Sequence, residues 1–95
     1  MKPMYVYIMT NEKYGTLYIG VTSDLVKRTW QHKNKIFRGF TSRYNLDKLV
    51  YYEVFIDEEN AILREKRMKR FKRMQKIELI EKMNPTWEDL YKSII

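Results

Sequence analysis

The sequence predicts an α/β fold: a small, mostly antiparallel three-stranded sheet flanked by helices, in the order β-β-α-β-α-α. Two observations carry that prediction. Runs dense in β-branched and aromatic residues at 4–10 (MYVYIMT), 16–20 (TLYIG) and 48–56 (KLVYYEVFI) read as strands. The remaining segments place apolar residues at a 3.6-residue period, the mark of amphipathic helices. With 95 residues, 44% hydrophobic, 3 Gly and 2 Pro, the chain is expected to form one domain over 1–95. A chain of this size buries roughly 60–65% of its unfolded surface.

The first two strands are joined by residues 11–15, whose Asn and Gly suit a turn, so they are expected to pair as an antiparallel hairpin. A tight turn at Gly20 then leads into a helix over about 24–34. Thr22, Ser23 and Asp24 each offer a side-chain oxygen to the free N–H groups of its first turn. Leu25, Val26, Thr29 and Trp30 fall on one side of this helix. Arg28 and His32, four apart, stack beside that face. Residues 36–47 lack strong periodicity and read as a loop with aromatic and basic residues interleaved.

After the third strand, Asp57 suits the N-cap of a helix running to about Phe71. Glu58 and Glu59 favour its positive end, and Asn60 completes a loose capping box. A further helix over 74–83 is expected to bury Ile77, Ile80 and Met83, and Asn84-Pro85 stops it. Pro85 suits the first position of a short terminal helix carrying Trp87, Leu90 and Tyr91. Trp30 and Trp87 are expected in the core.

The absence of cysteine excludes disulfides and Cys-ligated zinc or iron–sulfur centres. With one histidine, a multi-His metal site is excluded within a single chain. Any metal would therefore rest on carboxylate oxygen and water, which points to Mg²⁺ or Mn²⁺. No apolar run approaches a membrane span, and the start MKPMYVYIMT lacks the features of a signal peptide. A cytoplasmic location without a membrane partner is expected.

The formal net charge is +7 and is unevenly placed. Between Leu25 and Leu46 there is no acid, while Lys27, Arg28, Lys33, Lys35, Arg38 and Arg43 all fall there. From Arg64 to Lys76 a run that includes Arg67, Lys69 and Arg70 meets a single acid, Glu65. Such clustering suits a polyanion whose counterions are released on binding, and nucleic acid is favoured over a merely solvated face.

Glu65 breaks the pattern of its helix. Its direction falls between Ala61 and Ile62 and close to Met68, inside the apolar sector. A carboxylate there needs a cation or hydrogen bonds. A structural Arg or Lys partner and a metal or catalytic role are equally compatible with the pattern. Tyr5 and Tyr7 share one face of the first strand, and Tyr18 sits on its neighbour. Taken alone these tyrosines read as core, and His32 as a rim residue.

Together, however, these residues resemble the GIY-YIG nuclease family. The first signature appears as Tyr5-Val6-Tyr7 and the second as Tyr18-Ile19-Gly20. Arg28 stands eight residues after Gly20, His32 four further on, and Glu65 on a later helix in ILREKRMKRF. The match spans nearly the whole chain and is most similar to small stand-alone bacterial members, which often end in a run like NPTWEDLY here. The family also includes the nuclease domain of the bacterial excision-repair C subunit and phage homing endonucleases. There are two departures. Tyr5 replaces the glycine of the first signature. The asparagine that many relatives carry about a dozen residues after the glutamate is absent from Gln75-Lys76-Ile77, where Lys76 could take its part.

The resemblance implies a one-metal DNA endonuclease. Glu65 would hold a single Mg²⁺ or Mn²⁺ and Arg28 would fork onto phosphate oxygens. Tyr7 would act on the attacking water, its pKa lowered by Arg28 and the metal. Tyr18 would orient water or phosphate, and His32 would share the proton transfer. Lys27, Lys33, Lys35, Arg38, Arg43, Arg67, Lys69, Arg70 and Lys76 would hold flanking DNA without reading sequence. Selectivity would come from DNA structure, as in repair, or from a partner protein, with the chain a monomer or weak homodimer. Two alternatives stay open: a non-catalytic nucleic-acid-binding module of the same fold, and a basic structural protein docking on ribosomes or acidic partners.

Overall fold

In a computed structural model, which describes residues 2–95, the chain forms β1 (Met4–Thr10), β2 (Leu17–Thr22), α1 (Leu25–Lys33), α2 (Phe40–Arg43), β3 (Lys48–Phe55), α3 (Glu58–Arg70), α4 (Arg73–Met83) and α5 (Tyr91–Ile94). The sheet order is β2-β1-β3, and β1 pairs antiparallel with both neighbours. The fold class is the one the strand and helix patterns predict. Among the described residues, no helix is long and apolar enough to cross a membrane.

Because strand side chains alternate, β1 serves both faces of the sheet. Val6 and Ile8 join Ile19, Val50 and Tyr51 against Ala61 and Met68 of α3, Ile77 and Ile80 of α4, and Trp87. Tyr7 and Met9 face the other way, among Leu25, Leu46 and Leu49, with Tyr5, Tyr18, Tyr52, Leu90 and Ile94 packed around them. Fully burying a side chain such as Val6 or Ile8 contributes roughly 1.5–3 kcal/mol. The register of β1 with β3 steps from Ile8↔Tyr51 to Met9↔Leu49, so Val50 is the extra residue of a bulge.

Four local expectations are corrected. First, Gly20 is no turn: β2 runs on through it to Thr22, and Gly20 pairs with Tyr7. Second, α1 buries Leu25, Thr29 and His32, while Val26 and Trp30 are exposed. Spacings of four and three align the first set along one line, whereas Val26 and Trp30 lie about 100° further round. Third, the 36–47 segment contains the turn of helix α2, entered through Gly39 at φ 144°, a setting that favours glycine. Fourth, Pro85 lies in a turn and starts no helix; α5 begins only at Tyr91, and Met83 is exposed.

The segment after α4 closes the outer edge of β3. The buried Asn84 side chain donates to the carbonyls of Val50 (3.1 Å) and Glu88 (2.8 Å) and accepts from the Glu88 N–H (3.0 Å). The Leu90 N–H donates to the Leu49 carbonyl at 2.7 Å, and the Leu49 N–H to Asp89 Oδ1 at 3.2 Å. Covering an edge in this way removes a template for unwanted strand pairing. Asp89 also ion-pairs with Lys33, which ties α1 to the same segment. The NPTWEDLY run is thus a clamp.

Replacing Asn84 by Ala should strand Val50 O and both Glu88 backbone groups, costing about 2–3 kcal/mol in urea unfolding. A cost below about 0.5 kcal/mol, the range of ordinary surface changes, would contradict this account of the clamp.

Candidate active site

The site begins with the cross-strand pair Tyr7 and Gly20. Partners in register share a face, so a side chain at 20 would stand where the Tyr7 ring lies. A Cβ on Gly20 would meet Tyr7 Cζ at 2.5 Å and Cε1 at 2.8 Å. Glycine is required here for close approach, in ordinary strand backbone.

Tyr7 is fully buried, and its hydroxyl lies 2.9 Å from His32 Nε2. His32 Nδ1 lies 3.1 Å from Thr41 Oγ1, so the imidazole links β1 to α2. In the tautomer carrying hydrogen on Nδ1, Nδ1–H donates to Thr41 and Nε2 accepts the Tyr7 O–H. Tyr18 completes an aromatic cluster. Its ring centre is 6.3 Å from that of Tyr7, 5.7 Å from that of His32 and 6.4 Å from Phe40, on which it stacks.

Arg28 stands one turn before His32 and lies against the Tyr7 phenol. Its guanidinium is 5.7 Å from the centre of the Phe37 ring. The Nε is buried and has no hydrogen-bond partner, and among the described residues Arg28 forms no ion pair. A buried, partnerless guanidinium nitrogen is costly, and no carboxylate among the described residues offsets the charge of the group, which leaves it open to an oxyanion. Glu65 reaches the same region from α3. Its side chain is 15% exposed, and Lys69 Nζ stands 3.5 Å from Oε1 in an i,i+4 pair. That contact joins a half-exposed ammonium and contributes at most about 1 kcal/mol.

The charges of Arg28 and Glu65 both act on the Tyr7 hydroxyl. Arg28 acts on this phenol in the expected direction, and other groups outweigh it. Burial raises the Tyr7 pKa most strongly and Tyr18 adds to it; Arg28 pulls the other way and loses, and Glu65 raises it further. His32 moves down to about 4, through burial first and the Arg28 charge second. The imidazole is therefore neutral at pH 7.

Tyr7, Tyr18, Arg28 and His32 thus come together from β1, β2 and α1, and the Glu65 carboxylate on α3 is near enough for its charge to act on the Tyr7 hydroxyl. Around them Lys27, Lys35, Arg38, Arg43, Arg67, Lys69 and Arg70 are exposed, and Lys76 is half-buried in the first turn of α4. Lys33 is held in the clamp: it pairs with Asp89, donates to the Asp47 carbonyl at 2.9 Å and lies over the Tyr91 ring. Two other members of the basic run are also committed: Arg64 pairs with Glu53 at 2.8 Å, and Arg73 donates to the Gly15 carbonyl at 2.8 Å. The site residue the sequence reading missed is Thr41, since nothing in a weakly periodic segment marks a hydroxyl as the partner of a distant imidazole.

Residues 3–78 match the family model of the GIY-YIG catalytic domain. A UPF0213 protein of Clostridium perfringens is 37% identical over 90 residues, covering 95% of this chain and 96% of the relative. A UPF0213 protein of Staphylococcus saprophyticus is 35% identical over 69 residues, 73% of this chain and 83% of the relative. The solution NMR structure of a UPF0213 protein from Bacillus halodurans superposes with a TM-score of 0.57 at 28% identity, covering 95% of each chain.

Two measurements follow from this geometry. An NMR titration of the single imidazole should place the His32 midpoint near 4; a midpoint at the ordinary 6.5 would contradict its burial. The unfolded chain binds that proton more readily, so His32 makes stability fall as pH drops from 6.5 toward 4 and leaves it unchanged above 6.5. Gly20→Ala should cost about 1–3 kcal/mol by overpacking, and should move the Tyr7 ring resonances. Wild-type stability with unmoved rings would show that the close approach is not a constraint.

Proposed function

This chain belongs to the GIY-YIG nuclease family, and on that footing we propose that it is a divalent-metal-dependent DNA endonuclease using a one-metal mechanism. The single observation that supports this best is the partnerless Arg28 Nε beside the Tyr7–His32 pair, on the same phenol that feels Glu65. Arg64 and Arg73, by contrast, are held by acceptors of the fold, the Glu53 carboxylate and the Gly15 carbonyl.

The donor set fits the proposed metal. Among the described residues no group of three or more His, Asp or Glu could cage an ion. One carboxylate, held only by a half-exposed lysine, suits a cation that keeps several waters and takes phosphate oxygen, as Mg²⁺ does. Mg²⁺ or Mn²⁺ on Glu65 would supply Lewis-acid polarisation of the phosphate and stabilise the leaving oxygen. The chain's own residues do the rest. Arg28 forks onto the phosphate oxygens and offsets charge developing in the transition state. Tyr18 orients the attacking water or the phosphate from the open side of the cluster.

The raised pKa of Tyr7 changes how the proton is taken. Burial disfavours a phenolate there, so the proposed route keeps Tyr7 uncharged. The phenol oxygen accepts a proton from water while its own proton passes to His32 Nε2, 2.9 Å away. Tyr7 then never carries a full charge, and the Thr41 hydroxyl accepts from Nδ1–H in the tautomer that leaves Nε2 open to the proton. Burial and Arg28 disfavour the resulting imidazolium, so the proton is soon returned to solvent.

Exposed Lys27, Lys35, Arg38, Arg43, Arg67 and Arg70 would grip flanking phosphates, as would Lys69 once released from Glu65. Contacts of that kind give affinity and no sequence code. The substrate is therefore selected by DNA structure, as in repair, or by a partner protein.

Purified protein and Glu65→Ala should be incubated with plasmid and branched DNA, with and without Mg²⁺ or Mn²⁺. Metal-dependent cutting that disappears in Glu65→Ala is expected, and Arg28→Ala should lower the rate by about 10²–10³-fold, as for other lost charge-stabilising donors. DNA binding without cutting by wild type under either metal would make the chain a binding module instead.

A further inference from the structure

A second polar hollow adjoins the site and shares Arg28 and Lys27 with it. It holds about 290 Å³ and is lined by Lys2, Thr22, Ser23, Asp24, Lys27, Arg28, Gln31 and Phe37. Sites for drug-sized ligands run from roughly 300 Å³ upward, so this one suits a smaller group. Three cations enter it against one acid. That acid, Asp24, is already committed as the α1 N-cap, its Oδ1 accepting from the Lys27 N–H at 3.0 Å. Among the described residues none of the three cations is in an ion pair.

Three cations beside a single carboxylate leave the hollow net positive, and a small anion would offset that charge. Arg28 is the hinge between the two hollows: its side chain lines this one while its Nε is buried and partnerless beside Tyr7. A guanidinium has five donors, enough to face one phosphate on each side.

We infer that Lys2, Lys27, Gln31 and the outer edge of Arg28 form a second phosphate subsite, which takes the phosphate next to the one that is cut. This rests on the nuclease reading for its purpose, though not for its existence. The occupant's chemistry is a phosphate monoanion or dianion, from two sources: the adjacent backbone phosphodiester or a phosphorylated strand end. Gln31 supplies a neutral donor, and Phe37 walls the hollow on the side where the Arg28 guanidinium lies over its ring.

The test is an NMR titration of ¹⁵N-labelled Glu65→Ala protein with short oligonucleotides bearing a 5′-phosphate, a 3′-phosphate or neither. The amides of Lys27, Gln31 and Phe37 should shift on binding. Adding Lys2→Ala and Lys27→Ala together should weaken binding by about tenfold or more, because each lost contact is charge-assisted. Lys82→Ala, which removes one charge from the far end of α4, should change it less than twofold. Tighter binding of one phosphorylated end assigns the subsite to strand termini. Equal binding of all three, with loss when one backbone phosphate is made a neutral methylphosphonate, assigns it to the adjacent phosphodiester. Binding by the double variant equal to that of Lys82→Ala, or shifts confined to residues outside this hollow, overturns the inference. If these amides shift but the wild type cuts no DNA with either metal, the nuclease reading fails and the subsite stands.

Discussion

The Tyr7 ring occupies the space where residue 20 would carry a side chain, and the rest of the site is built on that approach. β1 and β2 are in a register that pairs Tyr7 with Gly20, so the phenol can lie flat across its neighbour. Placed there, the hydroxyl is within reach of α1, and His32 meets it at 2.9 Å. The same burial that fixes the ring also sets the electrostatics. It holds the phenol protonated and the imidazole neutral, so the pair is poised to pass a proton without separating charge. A bulkier residue at 20 would disturb register, hydrogen bond and pKa values together.

The second dependence is on the C-terminal clamp. α1 is a short helix and its position relative to the sheet is decided by what holds its far end. Lys33 pairs with Asp89, and Asp89 also accepts from the Leu49 and Tyr91 N–H groups. Asn84 fastens the start of the same segment to Val50. Arg28 and His32 are therefore held in place through residues more than fifty positions away in sequence. A site whose supporting residues are locked in this way keeps its geometry tighter than one borne on a free helix.

Much of this is legible in the sequence, and what is not is hidden for physical reasons. Strand alternation and helical spacing identify all three strands, α1, α3 and α4, because long-period patterns survive tertiary packing. The five site residues could be named because the two tyrosine triplets and the later Arg, His and Glu keep the order of a known family, with Glu65 set in an apolar sector. Gly20 was misread because a glycine marks a turn and a close approach alike. His32 was misread because Leu25, Thr29 and His32 line up as well as Leu25, Val26, Thr29 and Trp30 do on a nine-residue helix. Lys33 and Arg64 looked like free cations because their partners, Asp89 and Glu53, are remote in sequence. The counterweight to Arg28 at Tyr7 is hidden for a related reason: a sequence shows the cation beside a phenol but not how completely the phenol is buried.

The central claim is that Glu65 shares one hollow with Tyr7 and Arg28. Adding Mn²⁺ to ¹⁵N-labelled protein tests it most directly, since the paramagnetic ion broadens the resonances nearest its site. The account predicts that Glu65, Gly20 and the backbone around Tyr7 lose intensity first, together with Arg28. Broadening centred on the exposed acids Glu58 and Glu59, with Glu65 and Gly20 still sharp, would contradict it.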